Sequence, residues 1–406
     1  MLFKLKVKMV YIPMEKIKKL LLIVFSLLAI NVNAGEQDFQ FHGFIAQGLI
    51  DVDGSDFVND DGSLSPQLTE VGVNASYQLS SNLRLAGQVV YLNGGNRYAE
   101  GVRVDYALLD WSVYESAQWQ ANLYLGRFKN NHWLYSSSRD IPFARPSIIL
   151  PQSVYFDGFR DFAVGGDGGA FKISHSNDNY GNFDFNFSYG TSPVSDKQAE
   201  IILSKYAQGT VKQDSDIQAS LYWQPSFSPW RFGASYLDSD FSYKANDAGD
   251  LFYDGEFSFQ FYTVNALYEG EKWEFSGEIY QENFTTIGFY HPLHDKSPVG
   301  EGMYLQTRYK LNDELTLLAR YENFYSDRDD KDGEKLEEET GVPAYFGYHR
   351  DTTVGLSYDF SSNLRLRFEY HWFQGAGRLT PVVLPNPIIN DSKDWQLWAV
   401  QLMYWF

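Results

Sequence analysis

Apolar and polar residues alternate along most of the chain. Leu364, Leu366, Phe368, Tyr370 and Trp372 interleave with Arg365, Arg367, Glu369 and His371. Trp273, Phe275, Gly277 and Ile279 interleave with Glu274, Ser276, Glu278 and Tyr280, and Phe183, Phe185, Phe187 and Tyr189 with Asp184, Asn186 and Ser188. Leu83, Leu85, Val89 and Tyr91 alternate with Arg84 and Gln88 in the same way. A period of two marks β-strands whose two faces meet different surroundings. Strands are predicted near 38–50, 67–79, 82–93, 102–115, 118–127, 166–176, 181–191, 214–224, 229–240, 255–268, 272–284, 300–311, 313–325, 349–360, 363–374 and 394–406. The alternation is weakest at 166–176 and at 102–115. In the latter it changes phase around Leu108-Leu109, as a β-bulge would make it do.

Taken singly, each strand would also suit a soluble sandwich, with its aromatic face in the core. The connections decide against that. Every second one is tight: Ser80-Ser81, Ser116-Ala117, Asn177 to Tyr180, Pro225 to Ser228, Gly270-Glu271, Asn312 and Ser361-Ser362. Those between are long, polar and rich in Asp, Gly and Pro. Short turns at one end and long loops at the other are the pattern of an outer-membrane β-barrel. The segments are as long as the ~9–11 residues that a tilted strand needs to cross hydrocarbon. Lipid cannot satisfy an open sheet edge, so the sheet must close. The predicted fold is therefore all-β, a transmembrane antiparallel β-barrel of about sixteen strands. A barrel that size has a lumen wide enough for water and small solutes.

Composition and the N-terminus fit an exported barrel. Residues 1–34 read as a signal peptide, with Met14 as an alternative start. Lys16, Lys18 and Lys19 form its basic region, Leu20 to Ile30 its apolar run, and Val32 and Ala34 precede a cleavage site before Gly35. Residues 35–406 would then be a single barrel domain. Mean hydropathy is −0.36, which alone would suggest a soluble chain. Yet aromatics make up 17% of the residues, with 29 Tyr and 31 Phe and no Cys. Aromatic girdles explain the first figure, and the second excludes a disulfide scaffold or a Cys-ligated metal. Cleavage after Ala34 would remove six Lys and Glu15, taking the formal charge from −19 to −24. Nucleic acid is an unlikely partner for so acidic a chain.

The chain ends with Trp398, Val400, Leu402, Tyr404 and Phe406 on one face of its last strand, Phe406 being the final residue. This resembles the C-terminal signature strand of bacterial outer-membrane barrels, and the resemblance implies recognition by the barrel assembly machinery. More narrowly, the chain resembles the trimeric sixteen-stranded porins, whose third extracellular loop folds back to constrict the pore. Here the third long connection, about 128–165, is the longest. Its stretch Arg139 to Gln152 is similar to loop sequence of porins related to the phosphate-selective type. That resemblance implies a homotrimer, contact with outer-membrane lipid and lipopolysaccharide, and passage of small solutes and ions. The acidic loops depart from the basic conduction path of the phosphate-selective type, leaving the sign of ion selectivity open.

The third loop has its own reading. Pro142, Pro146 and Pro151 exclude a central strand. Ile148, Ile149 and Leu150 would be misplaced in water and make sense packed on the inner wall or on a neighbouring subunit. If the loop constricts the pore, Arg139, Asp140, Arg145, Asp157, Arg160 and Asp161 would sit near its narrowest point. The plainer alternative is a flap over the mouth. With the aromatic faces toward lipid, Arg84, Arg231, Arg308, Arg320, Arg365, Arg367, Glu274, Glu278, Glu322 and Glu369 face the lumen, because a charge at the lipid midplane costs about 2–4 kcal/mol. A basic wall opposite an acidic loop would set a transverse field across the pore. Paired residues bracing the barrel are the equal alternative.

No catalytic residues, cofactor or metal are predicted. The acidic stretch Asp327 to Glu339 fails the calcium-loop spacing, because position 328 is Arg. His291 and His294 are a weak metal pair in a loop, and His371 reads as a lumen hydrogen-bonding residue. No Ser–His or Asp–His motif is visible, although such sites assemble in space. The expected function is a porin for passive diffusion. One rival is a substrate-specific channel for phosphate-like anions or sugars, and another is a barrel enzyme or structural outer-membrane protein.

Overall fold

The computed structural model describes residues 38–160, 165–246 and 249–406. The predicted signal peptide and Asp161 lie outside the described residues. Seventeen strands form one sheet: β1 (Phe39–Asp53), β2 (Thr69–Ser80), β3 (Leu83–Asn93), β4 (Gly101–Glu115), β5 (Trp119–Lys129), β6 (Gly165–Asn177), β7 (Gly181–Thr191), β8 (Thr210–Gln224), β9 (Trp230–Lys244), β10 (Gly255–Glu269), β11 (Trp273–His291), β12 (His294–Lys296), β13 (Val299–Lys310), β14 (Leu315–Tyr325), β15 (Tyr348–Ser361), β16 (Leu364–Gln374) and β17 (Asp394–Trp405). Three-residue β12 only extends the β11 hairpin, and β11 also pairs directly with β13. The other sixteen strands close an antiparallel barrel. Its seam joins β1 to β17, in register from Phe44↔Trp405 to Asp53↔Gln396.

The two faces invert the usual order of a folded protein. Leu305, Val264 and Ile279 point outward and are more than half exposed, whereas Glu278 and Glu322 point inward and are fully buried. An apolar exterior around a charged interior is costly in water and favourable in lipid. Around the short-turn end the outward rings form a near-continuous belt. Trp119 stacks on His175 at 4.0 Å, Trp230 meets Tyr268 at 5.0 Å, and Trp273 meets Tyr309 at 4.5 Å. Among the described residues no helix is long and apolar enough to cross a membrane.

Two departures from the predicted pattern have local causes. The phase of β4 changes not at Leu108-Leu109, which pair in register on both sides, but at two bulges that flank them. One leaves Asp105 unpaired between Val104 and Tyr106, and the other leaves Val113 unpaired between Ser112 and Tyr114. An extra residue in one strand turns all later side chains to the opposite face. Second, the lumen wall is not polar all round. The inward face of β1 and β17 carries Phe44, Ala46, Ile50, Val52, Trp395, Leu397, Ala399 and Met403, all buried. Something apolar must cover that strip.

Candidate pore and its constriction loop

That cover is the third long loop. Ile148 and Ile149 pack on Ile50, Val52, Leu397 and Ala399 inside the barrel, and Leu150 joins Trp133, Tyr155 and Tyr304. Of the two surfaces open to these three side chains, they occupy the inner wall.

Polar anchors fix the loop to the strands. Glu369 of β16 accepts the backbone N–H groups of Ile148 and Ile149, the latter at 3.1 Å. Glu322 of β14 accepts that of Ser153 at 2.7 Å, and Glu278 of β11 accepts that of Leu134 at 3.1 Å and the Tyr155 hydroxyl. Glu70 of β2 pairs with Arg145. In return, wall arginines donate to loop carbonyls: Arg320 to Ile149 O at 3.0 Å and Arg367 to Pro142 O at 2.8 Å. The acids and bases of the wall thus serve the backbone of a proline-broken segment that has no strand partner, and charge-assisted bonds suit that role.

The predicted loop residues come together as one buried network. Arg139 pairs with Asp157 at 3.0 Å, Arg160 pairs with Asp140, and Lys129 reaches Asp140 at 3.3 Å. Arg97 of the second long loop adds to Asp157 at 3.4 Å. Burial works to raise both carboxyls. The Arg160 and Lys129 charges nevertheless hold Asp140 well below the usual carboxylate range, and Arg97, Arg139 and Arg160 lower Asp157. None of these five predicted residues is solvent-facing: Arg139, Asp140, Arg145, Asp157 and Arg160 are all buried.

On the wall, most predicted charges are matched. Arg84 pairs with Asp110 at 2.8 Å, Arg308 with Glu274 at 2.8 Å, and Arg365 with Asp359. Arg320 lies 3.5 Å from Glu322 and 3.7 Å from Asp351. The expected basic face is therefore largely neutralised by its own acids. Arg231 differs, because its guanidinium stacks 4.2 Å over the Tyr222 ring and meets no carboxylate among the described residues.

Several participants were not singled out from sequence. Glu70 and Asp351 lie on the inward phase of their strands, so alternation could have found them. Arg378 could not be found that way. It lies in the last long loop, 375–393, and reaches into the lumen 3.5 Å from the Phe324 ring centroid, donating to Tyr280 and lying 3.4 Å from Glu282. The same loop is tied across the mouth by Thr380 to Asn96 O at 2.8 Å and by Val382 N to Ile202 O at 3.0 Å, the latter in helix α1 (Asp196–Leu203). The structure also assembles an Asp–His pair that the sequence reading lacked. Asp351 lies 2.8 Å and Thr353 3.1 Å from the same His371 nitrogen, Nδ1. A relay needs the two partners on opposite ring nitrogens, and all three residues are fully buried behind the loop. In the acidic stretch, the carboxylate of Asp330 accepts Lys335 N and Leu336 N at the start of helix α2 (Glu334–Thr340), which gives that acid a structural task.

Among the described residues, two polar hollows line the inside of the barrel. A polar cavity of about 440 Å³ lies between the loop and β6–β9, bounded by Asn131, Lys172, Asp184, Asn186, Tyr222 and Arg231 among others. A second, of about 240 Å³, lies against β2–β5 around Arg84, Asp110 and Asn122.

This architecture is that of the sixteen-stranded Gram-negative outer-membrane barrels. No protein-family model matches the chain, and no curated protein matches it in sequence. Solved structures do match in fold. OmpT folded in vitro, an outer membrane protein of Vibrio cholerae, superposes with a TM-score of 0.58 at 14% identity, over 93% of this chain and 100% of that one. The outer membrane channel DcaP of Acinetobacter baumannii gives 0.56 at 13% identity, over 91% and 97%. The anion-selective porin from Comamonas acidovorans gives 0.56 at 12% identity, over 91% and 99%. These neighbours are outer-membrane proteins, one of them a channel and one an anion-selective porin, and the fold is theirs.

Proposed function

We propose that the protein is an outer-membrane channel through which small hydrophilic solutes and ions diffuse passively. The observation that carries this is the closed barrel with an apolar belt outside and polar, unfilled space inside. The loop narrows the lumen by packing on β1, β17 and β10–β16 and by the Arg145–Glu70 anchor on β2, leaving the aqueous path along the polar hollows of β3–β9. Arg139, Asp140, Arg145, Asp157 and Arg160 act by keeping the loop rigid, so their charges shape the constriction without lining it. Trp398, Val400, Leu402 and Tyr404 share the outward face of β17, Phe406 follows its end, and together they supply the segment read by the assembly machinery. A trimer is the working assembly, in keeping with the trimer form of the Vibrio cholerae protein. The outward apolar belt supports a barrel seated in outer-membrane lipid, with lipopolysaccharide as the partner of the long loops.

Liposome swelling in neutral sugars of increasing size tests this reading. Swelling should be rapid for small polyols and cut off sharply for a disaccharide, because the loop and Arg378 occupy much of the bore. Liposomes no leakier than protein-free controls to every solute would overturn the proposal.

A further inference from the structure

Charge accounting inside the barrel singles out one place. The wall and loop cations at the constriction are matched: Arg84, Arg308, Arg320 and Arg365 by acids, Arg367 by a carbonyl, and the loop arginines by Asp140, Asp157 and Glu70. Around the 440 Å³ cavity the balance differs. Arg231 has only the Tyr222 ring beneath it. Lys172 stands 3.9 Å from Asp184, at the limit of an ion pair, while Asp184 also accepts a hydrogen bond from Ser174. Two cations therefore face one carboxylate in a polar, unfilled space. The amides of Asn131, Asn182, Asn186 and Gln224 surround them.

From this we infer that the cavity is an oxyanion-binding step in the conduction path. Arg231 is the principal ligand, Lys172 the second, and the amides complete the hydrogen bonding of a small carboxylate or phosphate. Arg231 is prepared for the role. Stacking on Tyr222 holds the guanidinium plane while leaving its N–H donors toward the cavity, and a fixed planar fork matches an oxyanion in two-point contact. The acids that make the whole chain negative lie mostly in loops or are already engaged by the constriction. Local charge at this step therefore opposes the global charge. This inference rests on the channel reading, which it deepens by naming the solute class.

The test uses the mature full-length chain in a planar bilayer at 0.1 M KCl, where exposed loop charges more than about 10 Å from the path are screened. A salt gradient should give a reversal potential of the sign for chloride preference. Inorganic phosphate should reduce the chloride current, propionate should do so less, and glycerol at equal concentration should not. Arg231→Gln should raise the phosphate concentration needed by about tenfold, the effect of losing one charge-assisted contact, and Arg231→Lys should restore much of it. Stronger action of propionate than phosphate would identify carboxylates as the preferred class. Equal effects of phosphate and glycerol, or an unchanged Arg231→Gln, would overturn the proposal. If the barrel never conducts, the channel reading fails separately. Broadening of the phosphate ³¹P signal by detergent-folded wild type but not by Arg231→Gln would then still establish the site, and no broadening by either would reject it.

Discussion

Replacing Glu369 with alanine should release the constriction loop. Its carboxylate accepts two adjacent backbone N–H groups, Ile148 and Ile149, in a place from which water is excluded. A buried N–H left without an acceptor costs about 1–3 kcal/mol, so the two together oppose docking by about 2–6 kcal/mol. At 1.4 kcal/mol per tenfold, even the lower figure raises the undocked fraction about thirtyfold. Loss of the carboxylate alone should not upset Arg320 and His371, which keep Asp351, and Arg320 also keeps Glu322. Trypsin reads the outcome, because Arg139 and Arg160 are buried when the loop is docked, while Arg145 precedes Pro146 and is not a trypsin site. Cleavage after Arg139 and Arg160 in detergent-folded Glu369→Ala should accelerate by about thirtyfold or more. Glu369→Gln keeps one acceptor and should fall between. Glu301→Ala, on the outer rim beside Lys331, should leave the rate alone. Loop cleavage in folded Glu369→Ala within threefold of wild type would show that the carboxylate does not hold the loop.

Further outcomes follow from the same geometry. Leu305→Arg, on the lipid face, should lower folded yield by about 2–4 kcal/mol of stability in urea titration into vesicles, whereas Gln306→Leu on the other face should fold. Arg378→Ala removes a side chain that fills the bore between Phe324 and Phe156, so single-channel conductance should rise without loss of the folded barrel. Burial in the first long loop pushes the Asp56 carboxyl up to about 6, and its backbone N–H bonds Asn390 of the last loop. The folded value lies above the ordinary 3.8, so this group's contribution is complete below 3.8 and is lost as pH rises through about 6. Hydrogen exchange across 375–393, corrected for intrinsic rates, should be slower at pH 4 than at pH 7, and Asp56→Asn should remove the difference.

The barrel was legible because lipid and lumen impose unlike chemistry on alternate residues. Phe368 and Tyr370 against Arg367 and Glu369 suffice to orient β16, and fifteen of the sixteen predicted strands match the observed ones to within four residues, while β11 runs seven residues further than predicted, to His291. Alternation was hardest to read where an extra residue breaks it, as at Asp105 and Val113. The excess apolar character of Ile148 to Leu150 did show that the third loop packs on something, and its proline content showed that it is no strand. The partners of its charges could not be read. Asp140 and Arg160 are joined by loop folding, and Ile148 and Glu369 lie 221 residues apart in the chain. Arg378 lies in an aperiodic loop, where nothing local distinguishes a side chain that enters the bore from one in solvent.

The central claim is that water and ions pass through this barrel beside a docked loop. Single-channel recording of residues 35–406 in a planar bilayer tests it most directly. Discrete, reproducible openings in groups of three are expected, larger in Glu369→Ala and Arg378→Ala than in wild type. A folded barrel that inserts and yet shows no conductance, in wild type or in either variant, would contradict the account.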